Sequence, residues 1–367
     1  MPYFTVPCDF NGDKIYDLLA NNDNYFVPVK ETYGSLKHSK YGSGRKYFEL
    51  PDVSDEKFQN YLNECNKNNL IFNYVLNLSC NSNQEFTLSG QKDILAHIEK
   101  LYSAGVKRFT IAIPSLIDLV DSIFPDIEVT VSVITGVDTV DKAEYFSSKK
   151  SVKCIYVHEA LNRKPELLKK IIDVCHKNET EVGTIVNSFC LLDCPFRNYH
   201  YNFGAHATFG ASYIIPEYYG SICGLMKMDN PKNIVSSPWI RPNDLEFYVN
   251  LGVDKFKISG REMHANNANM LKVVETYNSK KYEGNLVSLF MCFTSCIYAD
   301  TFVINNDSNI DRYMDLILHG KTKCLTRDCE HCGQCALALK SVQTNEEALK
   351  RNKELLQSRL NEFSRKK

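Results

Sequence analysis

Phe109-Thr110-Ile111-Ala112-Ile113-Pro114-Ser115-Leu116-Ile117-Asp118-Leu119-Val120-Asp121-Ser122-Ile123, followed shortly by Val129-Thr130-Val131-Ser132-Val133-Ile134, holds the fold in miniature. A β-branched run too short for a helix meets a proline-marked turn. Apolar residues at helical spacing follow, then a second β-branched run, so the segment reads strand, helix, strand. Ser115 is placed to cap the helix over Leu116–Ile123.

The alternation recurs from end to end. Strands are predicted at Tyr3–Val6, Tyr25–Val29, Phe72–Leu76, Phe109–Ile113, Val129–Ile134, Cys154–His158, Val182–Asn187 and Lys255–Ile258. Helices are predicted at Glu56–Asn68, Gln91–Ala104, Leu116–Ile123 and Glu166–Lys177. Near-continuously apolar strands joined by helices make a parallel sheet covered on both faces. Eight of them point to an α/β fold of the (β/α)8 TIM-like barrel type over residues 1–286. No Gly-x-Gly-x-x-Gly follows a strand, which argues against a dinucleotide-binding sheet. Functional groups then belong at the carboxyl ends of strands. There lie Asn77 to Glu85, Pro114-Ser115, Thr135-Gly136, His158-Glu159, Asn187 to His200 and Ser259-Gly260-Arg261.

Residues 287–367 read as a small cysteine-rich extension with a terminal helix. Thr344 and Glu347 form a capping-box pattern at the start of that helix. Val342, Leu349, Leu356 and Phe363 fall at heptad spacing, which fits a helix docked on its own domain or one pairing with a second copy.

A net charge of −1 gives no overall attraction for nucleic acid or anionic membranes. The amino terminus does not resemble a signal peptide, and no run approaches the roughly 20 apolar residues of a membrane span. A cytoplasmic protein is expected, in which 14 cysteines are not a disulfide framework.

Two cysteine clusters stand out. Cys190-x3-Cys194 precedes Arg197 and His200, and Cys223 lies in the same long excursion after a strand. The cluster fits the radical S-adenosylmethionine pattern poorly, because Arg197 stands where a third thiolate is needed. A cysteine hydrolase using Cys190 or Cys194 with His200 or His206 is a second reading, though no Gly-x-Ser-x-Gly or His-Glu-x-x-His motif accompanies it. Ligation of an iron–sulfur cluster by Cys190, Cys194 and Cys223 is the third, and reduced buried thiols are the plain alternative. In the second cluster, Cys324-x4-Cys329-x2-Cys332-x2-Cys335 combines plant-type and bacterial ferredoxin spacings. With His331 inside the run, zinc is the alternative metal there.

Val186 to Cys190 and Cys194 to Asn202 together resemble the central signature of the collagenase-like U32 peptidase family. The likeness extends to Tyr33-Gly34-Ser35, Gly42 to Arg45, Phe72 to Asn77, Ser237 to Leu245, Asp254 to Arg261, Tyr282 to Leu286 and the Cys324–Cys335 run. It implies a TIM barrel and, in several members, a 4Fe–4S cluster held by four barrel cysteines. Those members take part in oxygen-independent hydroxylation of RNA bases or quinone precursors, with prephenate as oxygen donor. Carried over by motif position, Cys190, Cys194 and Cys223 are cluster ligands, and Cys292, Cys296 or a cysteine of the C-terminal run completes the set. Arg197, His200 and Arg261 are the candidate catalytic groups, with Arg197 and His200 lending positive charge to the cluster.

Arg45, Arg163, Arg241 and Arg261 sit at marked turns and suit an anionic substrate such as a dicarboxylate. Arg45, Tyr74, Asn187 and Arg241 are the expected substrate-binding residues, and Tyr33, Tyr199 and Tyr201 could add a stacking surface. The substrate is a small molecule, an RNA or a peptide. An electron-transfer or family partner subunit is compatible with this reading, and the alternative beside it is a non-catalytic role in which this chain is the cluster-bearing subunit of another enzyme.

Overall fold

The computed structural model describes residues 1–37, 39, 41–124, 126–209, 217–260, 267–324, 326 and 328–363. Strands β1 (Tyr3–Pro7), β2 (Val29–Gly34), β3 (Ile71–Leu76), β4 (Arg108–Ile111), β5 (Glu128–Val131), β6 (Val152–Tyr156), β7 (Glu181–Ile185) and β8 (Lys255–Lys257) pair in sequence order. All neighbours are parallel, and β8 closes on β1 with Phe256 opposite Phe4. Helices α1 (Lys14–Leu19), α2 (Asp55–Lys67), α3 (Leu88–Ser103), α4 (Pro114–Ile123), α5 (Val140–Ser147) and α6 (Pro165–Lys177) follow the first six strands in turn. After β7 the chain makes a long excursion through α7 (Arg197–Ala207), α8 (Tyr218–Asp229) and α9 (Lys232–Val235) before α10 (Leu245–Leu251). Helix α11 (Asn267–Asn278) follows β8. This is a (β/α)8 TIM-like barrel.

Local chemistry sets the elements. In α6, Leu168, Ile171, Ile172 and Cys175 form one buried stripe at helical spacing. Ser54 caps α2 by accepting the Lys57 N–H at 3.2 Å. Ser115 does not cap α4, because Pro114 itself opens that helix and has no N–H to satisfy. The largest departure from expectation is β2, which runs over Val29–Gly34 rather than Tyr25–Val29. Its charged pair Lys30-Glu31 conceals a strand whose acid points into the barrel.

Inside the barrel Glu31 accepts from Arg108 Nη1 (2.8 Å), Lys255 Nζ (3.0 Å), Thr5 Oγ1 (3.0 Å) and Asn73 Nδ2 (3.3 Å). Burial pushes the carboxyl upward in pKa, and the Lys255 and Arg108 cations more than reverse this, holding it at about 2. Strands β2, β4 and β8 are thereby tied across the interior.

The C-terminal part packs on the barrel. It comprises α12 (Leu286–Phe290), α13 (Ile297–Thr301), β9 (Phe302–Ile304), α14 (Ser308–Leu318), α15 (Cys329–Cys332), α16 (Cys335–Leu339), β10 (Val342–Thr344) and α17 (Glu346–Phe363). β9 and β10 form an antiparallel ribbon, so Thr344 belongs to a strand and Asn345 caps α17 instead, accepting the Ala348 N–H at 3.1 Å. Helix α17 docks on α8 of its own chain, where a Cβ at Gly224 would lie 2.8 Å from Leu356. Among the described residues no helix is long and apolar enough to cross a membrane.

Glu31→Gln should lower unfolding free energy by about 3–5 kcal/mol in urea titrations, since it takes the buried carboxylate from Lys255 and Arg108 and leaves them only the part-exposed Glu181 and Glu128. With the folded-state pKa below the ordinary carboxylate value of 4.5, wild-type stability from this group is complete above that value and drains away as pH falls towards about 2. A variant as stable as wild type at pH 7 would show that the ion cluster does not hold the barrel.

Candidate functional site

At the carboxyl ends of the strands a cavity of about 380 Å³ opens in the barrel mouth. Its walls come from the strand ends and their loops, from the excursion after β7, and from Phe290, Met291 and Tyr298 of the C-terminal part. Cys190 and Cys194 lie in the loop after β7, turned by Asp193 at a left-handed φ of 54°. Arg197, His200 and Tyr201 share one face of α7 at i, i+3 and i+4. Tyr219, Cys223 and Lys227 share one face of α8, also at four-residue spacing. Cys190, Cys194 and Cys223 thus line one cavity from two separate elements. They stand along its wall; among the described residues no three His, Cys, Asp or Glu side chains converge as single-ion ligands do.

The cations here are held in place. Lys227 is only 3% exposed, donates to Cys223 Sγ at 3.0 Å and lies 5.3 Å and 5.1 Å from the ring centres of Phe189 and Tyr298. Burial would strip its proton, but Tyr298, Cys223 and Cys190 hold its pKa above the ordinary lysine range. Arg197 donates to Glu159 and, through Nη2, to Val133 O at 2.8 Å, with its guanidinium 4.9 Å from the Tyr201 ring centre. Cys190 keeps contact with the cavity, yet the protein packed around it pushes its thiol up to about 12, with Lys227 and Arg197 pulling the other way.

His200 differs from expectation. Burial, then the Lys46 and Arg45 charges, depress its pKa to about 4, so at neutral pH the ring is an uncharged acceptor stacked on Tyr219. Positive charge near the thiols comes from Lys227 and Arg197. Lys227 escaped sequence reasoning, although Cys223-x3-Lys227 on a helix signals a shared face. Glu159, buried at the end of β6, and Lys257, 3.8 Å from the Tyr33 ring centre at the end of β8, complete the charged lining.

Arg45 reaches the cavity. Its loop is pinned by Gly44 N–H donating to Asn77 Oδ1 at 3.0 Å, and it packs so closely on α7 that a Cβ at Gly204 would lie 3.1 Å from Gly44 O. Asn187 lines the cavity too, but its amide is engaged: Nδ2 donates to Ser259 O (2.7 Å) and Phe290 O (3.0 Å), and Oδ1 accepts from Ser259 N (2.8 Å). It clamps β7 to β8 rather than presenting a group to substrate. Tyr74 faces the opposite side of β3, fully buried among Phe58, Phe72 and Phe109. Strand alternation sends Asn73 into the barrel and Tyr74 under the helices. Arg241 is likewise structural, bonding both oxygens of Asp244 and reaching Asp311 of α14, each at 2.7 Å. Arg261 lies outside the described residues. Cys292 bonds Ser259 O at 3.4 Å beside the Asn187 clamp, whereas Cys296 lies at the start of α13, two residues before the cavity-lining Tyr298.

An uncharacterized protease of Methanocaldococcus jannaschii, MJ1657, is 32% identical over 251 residues, which is 68% of this chain and 72% of that protein. A solved structure described as the U32 peptidase Mk0906 matches 70% of this chain and 92% of its own at 18% identity and a TM-score of 0.49. The chain belongs to the U32 peptidase family. No family model matches it. In this U32 protein the expected Cys190, Cys194, Arg197, His200 and Cys223 do gather at one cavity, and Arg45 joins them. Cys324, Cys329, Cys332 and Cys335 line a different one.

The His200 ring should titrate near pH 4 in histidine-ring NMR. Because the folded state holds that proton less readily than the unfolded chain, this group lowers stability as pH falls from about 6.5 to 4, with no further effect below. A midpoint near 6.5 would mean that neither burial nor the Lys46 and Arg45 charges act on it.

Proposed function

We propose that this chain is an iron–sulfur-dependent enzyme acting on an anionic substrate in the barrel mouth, by oxygen-independent hydroxylation or a related modification of a small molecule, RNA or peptide. One observation carries the reading: Cys190, Cys194 and Cys223 share a cavity wall with the buried ammonium of Lys227. The donor set fits a thiolate-bound cluster. The Cys190 and Cys194 thiols, pushed up by burial, need a metal to lose their protons, and the nearby cations offset the negative charge that results. Cys296, two residues before the cavity-lining Tyr298, is our candidate for the fourth thiolate. When bound, the cluster supplies one-electron chemistry.

The remaining work falls to the chain's own side chains. Arg45, Arg197, Lys227 and Lys257 line the cavity against one carboxylate among the described residues, Glu159, an excess of positive charge suited to a carboxylate or phosphate. Glu159 fixes Arg197 in one orientation. Neutral His200 is able to accept a proton from substrate. Tyr201 and Tyr219 offer ring faces beside it.

The name of the archaeal relative supports peptidase as the second reading. That activity needs a nucleophile beside a base, and among the described residues no hydrogen bond joins His200 to Cys190 or Cys194. Protein purified without oxygen should be brown, contain iron and acid-labile sulfide, and give a paramagnetic resonance signal on reduction. Cys190→Ser and Cys223→Ser should each abolish the part of that signal arising in the barrel. Colourless protein, or peptide hydrolysis that survives Cys190→Ala and metal chelation, would overturn this reading.

A further inference from the structure

The C-terminal cysteines surround a cavity of their own. Cys324, Cys329, Cys332 and Cys335 all line a space of about 210 Å³ that Tyr313, Arg163 and Leu192 help to close. A compact path brings them there. Cys329–Cys332 is one helical turn; Gly333 ends it at a left-handed φ of 61°, its N–H returning to Cys329 O at 3.3 Å, and α16 then starts at Cys335.

The charge of this cavity is unbalanced. Arg163, Lys232 and Lys323 line it, and no carboxylate does among the described residues. Lys323 is paired with Asp328 at 2.8 Å, outside the lining. Arg163 is 1% exposed; its two terminal nitrogens donate to Trp239 O (2.7 Å) and Ser237 O (2.6 Å), while its buried Nε has no partner. A buried guanidinium with an unmet donor costs free energy unless negative charge faces it. Four neutral thiols provide none. Four thiolates on an iron–sulfur core carry a net negative charge.

Zinc draws four sulfurs to about 2.3 Å from one point. Here the four cysteines line a cavity of about 210 Å³ together with ten other residues, which leaves room beside them for a group larger than one ion. Its position is equally telling: Leu191 lines the barrel-mouth cavity and Leu192 lines this one, so the loop bearing Cys190 and Cys194 is the partition between them. We propose that Cys324, Cys329, Cys332 and Cys335 hold a second iron–sulfur cluster, directly behind the barrel-mouth site across the Leu191–Leu192 loop.

Iron, sulfide and zinc analysis and resonance spectra of full-length anaerobic protein test this. Cys329→Ala/Cys332→Ala should lose about four irons per chain and keep the barrel signal, and Cys190→Ala/Cys223→Ala should show the complement. Reduced wild type should give a spectrum broadened by two interacting clusters, which sharpens in either variant. Lys232→Gln keeps every thiol and guards against misfolding. Lys232 lines the cavity beside the cysteines, so the loss of its charge should shift one cluster's midpoint potential downward and leave the other unchanged. Unchanged iron in the C-terminal variant, one zinc per chain that this variant loses, or two unshifted potentials in Lys232→Gln would overturn the proposal. Iron confined to the C-terminal cysteines would instead refute the barrel-mouth cluster and leave this one standing.

Discussion

One buried carboxylate organises the barrel. Glu31 sits where strands β2, β4 and β8 face each other across the interior, and it accepts from a lysine of the last strand and an arginine of the fourth. An interior filled only by branched apolar side chains could close in several registers at similar cost. An ion cluster of two bases around a fully buried acid, with Glu128 and Glu181 at its rim, is satisfied in one register and heavily penalised in the others. Closure in that register sets the strand ends level, and the strand ends carry the site.

The sequence shows the barrel clearly wherever its strands are apolar. It hides β2, because a strand facing a charged interior alternates Lys30, Glu31 and Thr32 like a surface segment. The face of a strand is harder to read still. Phe72-Asn73-Tyr74 offers one polar and two aromatic groups, and which of them points inward depends on the register that Glu31 imposes. Asn73 is the inward residue, and Tyr74 is left to the aromatic packing beneath the helices.

The candidate site was legible as a set of loops and as cysteine spacing, less so as a set of roles. Arg241 and Asn187 lie in motifs that look like substrate contacts, yet both spend their hydrogen bonds on the backbone and on acids of their own chain. His200 reads as a positive group until the fold buries it and brings Lys46 and Arg45 beside it from the loop after β2. Conversely Lys227 looks like a surface lysine of a helix, and becomes the buried cation of the thiols only because Phe189 and Tyr298 close over it. Each of these reversals depends on contacts between segments far apart in the chain, which local pattern does not encode.

The seating of α17 against α8, with Leu356 filling the gap left by Gly224, bears on assembly during synthesis. Helix α8 carries Cys223 and Lys227 on one face and α17 on another, so its position is settled by a segment translated more than a hundred residues later. A ribosome-bound chain would already contain all eight strands and every barrel-mouth thiol while this supporting helix was still inside the exit tunnel. The part of the cavity wall that α8 forms is therefore settled later in synthesis than the barrel it borders.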